Sequence, residues 1–322
     1  GEQFPILLDS YINLLGEDRE LTILDNYNGF SGLMNIIDSD DNFISNLTFR
    51  YGSKMPSDGE CRATWAPDDK VTVSGGSMYI CDSNPILSDI YFHDNQACYG
   101  GAIYSISSDV EFRNVVIDHN QGHLYGGGMQ VWGGQIRLSN VEISNNSTTI
   151  DTESGGGGGM YIRESDTFFE NVTIRDNLTR KSGGGICAIS TKLTMVNSRV
   201  VGNAVNEEYT CDPTAWTAGG IVLLEVQGAL NFVDISNNSG GGLAAEMHTN
   251  SGDPTNMSIN NSIIWGNECY NVLDQQAYDT YPDEGGPTLS YDITYSDIGI
   301  GDWEKKGSQK NLRAIFSLYD NP

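Results

Sequence analysis

Short segments in which apolar and polar residues alternate recur along the chain. A period of two is typical of a strand with one buried face, whereas a helix would need an apolar spacing of about 3.6 residues. Most segments end in asparagine, which we interpret as a turn residue that accepts a left-handed backbone and, stacked on its equivalents, forms a hydrogen-bonded ladder. The segments are DIYFHDN (89–95), NVVIDHN (114–120), NVEISNN (140–146), NVTIRDN (171–177), NSRVVGN (197–203) and NSIIWGN (261–267).

Glycine-rich tags, each followed by small or apolar residues, alternate with these segments and recur every 22 to 35 residues. Self-similarity at this period indicates a solenoid, in which each repeat buries its apolar side against its neighbours. The combination predicts an all-β, right-handed, single-stranded parallel β-helix of about nine to ten coils. The tags are GGSMY (75–79), GGAIY (100–104), GGGMQ (126–130), GGGMY (157–161), GGGIC (183–187), GGIVL (219–223) and GGGLA (240–244).

An uninterrupted repeat predicts one domain over residues 1–322, with an N-terminal cap (1–30), coils (31–300) and a C-terminal cap or tail (301–322). Residues 5–15 fit either a short amphipathic capping helix or a strand. Long loops on a rigid scaffold often carry function. Insertions break the period at 52–73, 147–156, 204–218 and 268–287.

The charge balance changes which partners are plausible. With 43 acidic against 17 basic side chains, the formal net charge is −26, which disfavours nucleic acid and anionic lipid and suits a saline or calcium-containing exterior. No stretch of about 18 apolar residues occurs, so we predict no membrane span.

Six cysteines predict at least some disulfides and therefore an exported protein. We expect Cys61–Cys81 and Cys187–Cys211, because Cys81 and Cys187 occupy comparable positions and each neighbours an insertion that carries another cysteine. Cys61–Cys98 is the competing pair. Cys98 and Cys269 lie too many coils apart to meet within one molecule. The sequence begins at Gly1 without a charged and apolar leader, so we expect that a signal peptide has already been removed.

The pairing of GGGIY-like tags with NVTIRDN-like segments resembles bacterial secreted right-handed parallel β-helix repeat proteins, over roughly residues 30–300. It is more distantly similar to the repeats of polymorphic outer-membrane adhesins, whose FxxN phrase appears here one residue shorter, as FRN (112–114) and FEN (169–171). The resemblance implies a three-sheet coil and a secreted or cell-surface location. Such proteins include lyases, hydrolases, epimerases and proteins that only bind, so fold does not settle function.

Two columns of side chains are predicted to point outward from the strands after the tags. Aromatic rings aligned over about four coils could stack on sugar rings, with polar neighbours that bind hydroxyls or an acidic group. The alternative is a cross-coil aromatic ladder that stiffens the sheet or lies beneath an inserted loop. The candidate ligand-binding residues are Tyr79, Tyr104, Gln130, Trp132, Tyr161 and Arg163.

Two acidic runs are candidate calcium sites, although solvated turn charges are the commoner explanation of such runs in an acidic protein. Calcium takes six to eight oxygen ligands, and neither run has the spacing of an EF-hand. The candidate ligands are Asp38, Asp40 and Asp41 in the first run and Asp279, Asp283 and Glu284 in the last insertion.

The sequence therefore predicts a protein that binds extracellular or cell-surface polysaccharide, or serves adhesion, without catalysis. A polysaccharide lyase or glycoside hydrolase is the first alternative. Asp118, His119 and Asp176 are potential catalytic groups at a turn, where His119 could approach Asp94 and the asparagines of the next coil. A structural spacer or filament subunit that associates end to end or laterally is the second alternative.

Overall fold

Parallel strands account for almost all regular structure in the computed structural model. It describes residues 3–27, 29–57, 61, 70–149, 156–180, 182–206, 217–246, 255–269, 272–275, 290–294, 296–298 and 313–315. Within them the only helix is the four-residue turn Lys70–Val73. The predicted all-β parallel solenoid is confirmed. The alternative of an N-terminal helix is wrong, because residues 5–15 contain the strands Ile6–Leu8 and Leu14–Leu15.

Sheet A has ten parallel strands, which include the strands that follow the glycine tags. Its strands, in order along the sheet, are Ile6–Leu8, Met34–Ile37, Met78–Cys81, Ile103–Ile106, Met129–Trp132, Met160–Arg163, Ile186–Ile189, Ile221–Leu224, Leu243–Glu246 and Val272–Gln275.

Sheet B is bent into two limbs, and strands Phe43–Arg50 and Ile86–His93 run through both. The other strands of the first limb are Leu14–Leu15, Val110–Arg113, Gln135–Ser139, Asp166–Glu170, Lys192–Val196, Gln227–Asn231, Asn256–Asn260, Ser290–Thr294 and Arg313–Ile315. Those of the second limb are Ile23–Asp25, Val116–Asp118, Glu142–Ser144, Thr173–Arg175, Arg199–Val201, Asp234–Ser236, Ile263–Trp265 and Asp297–Ile298.

Sheet C is the shortest layer and joins the second limb of sheet B to sheet A. Its six strands are Ser53–Lys54, Gln96–Tyr99, Gln121–Tyr125, Ser147–Thr148, Leu178–Thr179 and Ala204–Val205. The core lies between the three sheets and is built from the inward positions of each strand. In the second limb these are fully buried aliphatic residues at the same register, such as Ile117, Ile143 and Ile174.

The asparagine ladder is confirmed at the turn between the second limb and sheet C. Asn120 Nδ2 donates to Asn146 Oδ1 at 3.0 Å, and Asn146 Nδ2 donates to Asn177 Oδ1 at the same distance. We expected the ladder asparagine to adopt the left-handed backbone. The residue before it does so instead, for example His119 at φ 53°. The ladder contains Asn95, Asn120, Asn146, Asn177, Asn203, Asn238 and Asn267.

The glycine tags mark the corner between sheets C and A, where neighbouring coils meet through their main chains. Gly100 adopts φ +59°, which other residues rarely adopt, and a Cβ on Gly101 would lie 2.1 Å from the carbonyl oxygen of Gly127 in the next coil. A larger residue at the second position would push the coils apart, so the tags are a requirement of the fold.

Candidate functional site

The predicted outward column on sheet A is aligned as expected. Tyr104 pairs in register with Tyr79 on one side and with Gln130 on the other, and Gln130 pairs with Tyr161. Four consecutive strands therefore place these side chains in one file along the solenoid axis.

The file is buried, which leaves no ring face for a sugar. Tyr79 is 3% exposed, Tyr104 0%, Gln130 3% and Tyr161 6%. The rings of Tyr79 and Tyr104 stack with centroids 5.6 Å apart, and burial raises the pKa of the Tyr104 hydroxyl. Met55, Cys61 and Val73, from the first insertion and its flanks, pack against this cluster. The aromatic-ladder alternative therefore describes Tyr79 and Tyr104.

The disulfide of the first insertion joins Cys61 to Cys98, so the expected pair Cys61–Cys81 is wrong and the competing pair is confirmed. Cys98 lies in sheet C, beside the corner where the insertion leaves and re-enters the coil, whereas Cys81 ends a sheet A strand and is a free thiol.

Cys187 is a free and buried thiol, so the expected pair Cys187–Cys211 is also wrong. Cys211 lies outside the described residues, and Cys269 is disulfide-bonded.

Trp132 and Arg163 are the last residues of two neighbouring sheet A strands and remain half-buried. The Arg163 guanidinium lies 5.0 Å from the centre of the Trp132 ring, and the indole Nε1 donates to Glu164 Oε2 at 3.1 Å. Burial opposes ionisation of Glu164, but hydrogen bonds from Trp132 and Arg163 hold its pKa below the ordinary value. The three side chains thus bind one another, although the Glu164 side chain is still 50% exposed.

The first acidic run does not converge on a cation position. Asp40 Oδ1 accepts a hydrogen bond from Asn84 Nδ2, and Asp38 and Asp41 occupy left-handed turn positions at φ 49° and 55°. In the part of the chain that the structure describes, no group of three His, Cys, Asp or Glu side chains could hold a metal ion. Asp279, Asp283 and Glu284 lie outside that part.

The second limb of sheet B carries an aromatic group that sequence reasoning missed. Tyr91 and His93 lie in one strand with ring centroids 4.5 Å apart, and Tyr51 lies 6.2 Å from His93. Tyr27, 71% exposed, extends the group with an edge-on contact of 5.1 Å to Tyr51. Four rings thus form a continuous patch at the outer face of the first coils.

A polar network follows this patch on the next coils, centred on Asp118. Its carboxylate accepts hydrogen bonds from Tyr91 Oη at 3.2 Å, Ser144 Oγ at 2.8 Å and Asn145 Nδ2 at 2.8 Å, and Oδ2 lies 2.6 Å from His119 Nδ1. Burial opposes ionisation, but the bonds from Asn145, His119 and Ser144 outweigh it and lower the pKa of Asp118. The carboxylate therefore stays charged and fixes the orientation of its neighbours.

Charged groups of both signs continue the network one coil further. Arg175 bonds Glu142 Oε1 at 2.5 Å and Asp176 Oδ2 at 2.7 Å, and all three are at least one-third exposed. We call the set Tyr51, Tyr91, His93, Asp118, His119, Glu142, Asn145 and Arg175 the aromatic–polar surface.

The sequence does contain the signal for this surface, in the outward positions of the alternating segments. Asp118, His119 and Asp176 were considered as catalytic groups, and Asn145 does approach their turn. Asp94 Oδ2 lies 2.6 Å from His93 Nδ1, so this carboxylate has a histidine partner in its own coil. Comparing DIYFHDN with NVVIDHN and NVTIRDN as stacked outward columns would have revealed the aromatic-to-polar gradient.

Sequence comparison agrees with this architecture. Residues 19–203 match the family described as the right-handed β-helix region. The chain belongs to this right-handed β-helix family. The match extends over more than half of the chain, and it confirms the predicted handedness.

Two similar solved structures are the periplasmic alginate epimerase AlgG, with a TM-score of 0.37, and a mutant of the same enzyme, with a TM-score of 0.38. In both cases the sequence identity is 12% and the alignment covers 92% of this chain and 77% of the other. Likeness at this level says nothing of substrate or mechanism. No curated protein matches the chain.

One further observation bears on location. The disulfide between Cys61 and Cys98 indicates an extracytoplasmic protein. Within the described residues, no helix is long and apolar enough to cross a membrane.

Proposed function

We propose that this protein is a secreted or surface-exposed β-helix that binds a neutral extracellular polysaccharide along the aromatic–polar surface. The observation that carries the proposal is the continuity of partly exposed rings with fixed hydrogen-bonding groups on consecutive coils. Coils repeat at about 4.8 Å, so the surface extends for roughly 20 Å along the axis and would contact several sugar units of a linear chain.

The aromatic part would supply stacking. Tyr51, Tyr91 and His93 are half-buried, so each ring is held in place while part of it faces solvent. Rings that are already ordered lose little conformational entropy when the apolar face of a pyranose packs on them.

The polar part of the surface would supply selectivity among sugars. Asn145 and His119 are oriented by Asp118, and Arg175 is held between Glu142 and Asp176. Sugar hydroxyls both donate and accept, so a surface that presents fixed donors and acceptors can select among sugars by their hydroxyl positions.

The charge distribution favours a neutral polymer over a polyuronate. On the second limb Arg50, Arg175 and Arg199 each pair with a carboxylate, so their positive charge is compensated. The net charge of −26 would repel a polyanion along the whole chain.

The test is retention of neutral glycans by a Tyr91→Ala/His93→Ala double variant. We expect affinity to fall at least tenfold, which is about 1.4 kcal/mol of binding free energy. Phe168→Ala is the matched control, because Phe168 is a half-buried aromatic residue on the first limb. Unchanged retention in the double variant, or equal loss in both, would contradict the proposal.

A specific observation favours catalysis as a second candidate function. His119 is 60% exposed and its Nδ1 lies 2.6 Å from the ionised Asp118, so its Nε2 faces solvent with the tautomer set by the carboxylate. A histidine oriented in this way can act as a general base, as a lyase or a hydrolase requires.

Incubation with a panel of neutral and uronate glycans tests this candidate. Ultraviolet absorbance would detect lyase products, and an assay of newly formed reducing ends would detect hydrolysis. Turnover that disappears in His119→Asn while glycan retention persists would establish catalysis. Absence of turnover across the panel would contradict this candidate.

A further inference from the structure

A separate groove lies on the outer side of sheet C. It has a volume of about 580 Å³ and runs across neighbouring coils, from the strand that contains Ser147 to Ser239. The residues that matter for its chemistry are Ser147, Thr149, Leu178, Arg180, Asn206 and Ser239.

The floor of the groove is apolar and rigid. Ser147, Leu178 and Ala204 pair in register, so they form one outward file, and Leu178 is 46% exposed although it is a large aliphatic residue. Beneath the file, the hydroxyls of Thr148 and Thr179 are buried and lie 2.8 Å apart. An exposed leucine on a fixed sheet offers a flat apolar contact of the kind that the C–H face of a sugar ring makes.

Arg180 gives the groove a positive charge. None of the ion pairs found in the described part of the chain includes this exposed residue. The same holds for Arg19 and Arg137, whereas five other arginines there each pair with a carboxylate. In a chain of net charge −26, a guanidinium without a carboxylate partner in the protein can bind the carboxylate of a ligand. Guanidinium groups bind carboxylates through two parallel hydrogen bonds.

Thr149 supplies the second polar observation. Its Oγ1 is buried at the groove and has no hydrogen-bond partner among the described residues. Buried polar groups are nearly always paired, so an unsatisfied hydroxyl beside an open groove favours a ligand that brings a hydroxyl or carboxylate.

The opposite end of the groove limits the charge of the ligand. Ser239 Oγ donates to Glu268 Oε2 at 2.6 Å, which places a carboxylate at that end. Glu268 would repel a second acidic sugar unit, so the groove suits one acidic unit at Arg180 followed by neutral units.

We propose that this groove binds an oligosaccharide that carries a single uronic acid, with Arg180 on the carboxylate, Leu178 against a sugar ring and Thr149 on a hydroxyl. The site is distinct from the aromatic–polar surface, and neither proposal depends on the other.

The experiment is calorimetric titration of the full chain with a xylo-oligosaccharide that carries one glucuronate, with the unsubstituted oligosaccharide and with free glucuronate. We expect the substituted oligosaccharide to bind at least tenfold more tightly than either of the others, and its affinity to fall with added salt. Equal affinity for the two oligosaccharides would overturn the role of the carboxylate. Equal affinity for free glucuronate would overturn the role of the sugar chain.

Variants locate the site. Arg180→Ala should weaken binding of the substituted oligosaccharide at least tenfold, and Arg180→Lys should weaken it less, because lysine keeps the charge but loses the paired hydrogen bonds. Arg137→Ala, an exposed arginine on the first limb of sheet B, is the matched control and should have no effect. Binding that survives Arg180→Ala would overturn the proposal.

The Tyr91→Ala/His93→Ala variant separates this site from the aromatic–polar surface. It should bind the substituted oligosaccharide normally even if it loses neutral glycans. Loss of both ligands in this variant would show that they share one site and would overturn the proposal of a separate groove.

Discussion

Two sets of outward-pointing aromatic side chains on neighbouring coils have opposite environments. Tyr79 and Tyr104 on sheet A are buried under residues of the first insertion and its flanks, and the Cys61–Cys98 disulfide fastens that insertion. Tyr91 and His93 on the second limb stay partly exposed, because only a short turn with a ladder asparagine follows that strand. Whether an outward position can bind a ligand therefore depends on the turn beside its strand.

The largest expected effect separates the two sets by stability. Tyr104→Ala removes a fully buried ring from a packed cluster and should destabilise the surrounding coils by about 3–5 kcal/mol, whereas Tyr91→Ala should cost less than about 1.5 kcal/mol. Because solenoids can unfold by parts, amide hydrogen exchange of the N-terminal coils is the appropriate measurement.

Glycan retention gives the converse readout for the same pair of variants. Tyr104→Ala should retain glycan while it remains folded, and Tyr91→Ala should bind it more weakly. Reduced retention in folded Tyr104→Ala with normal retention in Tyr91→Ala would reverse the comparison and return the binding site to sheet A.

Removal of the disulfide should uncover the buried set. The Cys61→Ser/Cys98→Ser variant loses a cross-link between positions 37 residues apart, which should cost about 2–4 kcal/mol. The tyrosine signal in near-ultraviolet circular dichroism should weaken because the rings become more mobile, while glycan retention should stay normal. Cys81→Ser, which removes a free thiol, is the control, and a double variant as stable as that control would show that the insertion stays in place without the cross-link.

The repeat architecture was predictable because its physical causes are local. The alternation of apolar and polar residues decides which side chains of a strand face the core. Glycine is required at position 101 because neighbouring coils meet there through their main chains. Asparagine is required at position 146 because its side chain makes the hydrogen bonds that close the turn. Each of these requirements recurs from coil to coil, so it produces a repeated sequence motif.

The candidate site was less predictable because its causes are not repeated. The burial of Tyr104 depends on an insertion folding back over sheet A, and the pairing of Cys61 depends on the path of that insertion. Neither produces a periodic sequence pattern, whereas the column of His93, Asp118, Ser144 and Arg175 could have been predicted from the aligned segments.

A buried lysine, Lys54 of sheet C, lies against the first tyrosine of the buried file and makes the stability of this region depend on pH. Lys54 Nζ lies 5.2 Å from the Tyr79 ring centre and donates to Asn35 Oδ1 at 3.0 Å, and burial lowers the pKa of Lys54 from 10.5 to about 7. Between these two values the unfolded chain binds more protons than the folded chain, so stability should rise with pH over that range and be lowest below about pH 7.

Lys54→Met tests this dependence. The variant should be more stable than the original protein by about 1–3 kcal/mol at pH 7, after the cost of leaving Asn35 without its donor, and the advantage should vanish near pH 10. Denaturation curves of both proteins across that range give the difference directly. A difference that does not change with pH would show that Lys54 keeps its proton in the folded protein.

The smallest expected effect concerns the partly exposed group of Trp132, Arg163 and Glu164, where two neighbouring sheet A strands end. Trp132→Phe keeps an aromatic ring beneath Arg163 but removes the indole donor to Glu164, so it should cost about 0.5–1 kcal/mol and raise the pKa of Glu164 toward its ordinary value. Titration of the Glu164 carboxyl by NMR measures the shift. Glycan retention should not change, because Trp132 already has its partners within the protein. A loss of retention as large as that of Tyr91→Ala would place Trp132 in the binding site and make sheet A and the second limb two parts of one surface.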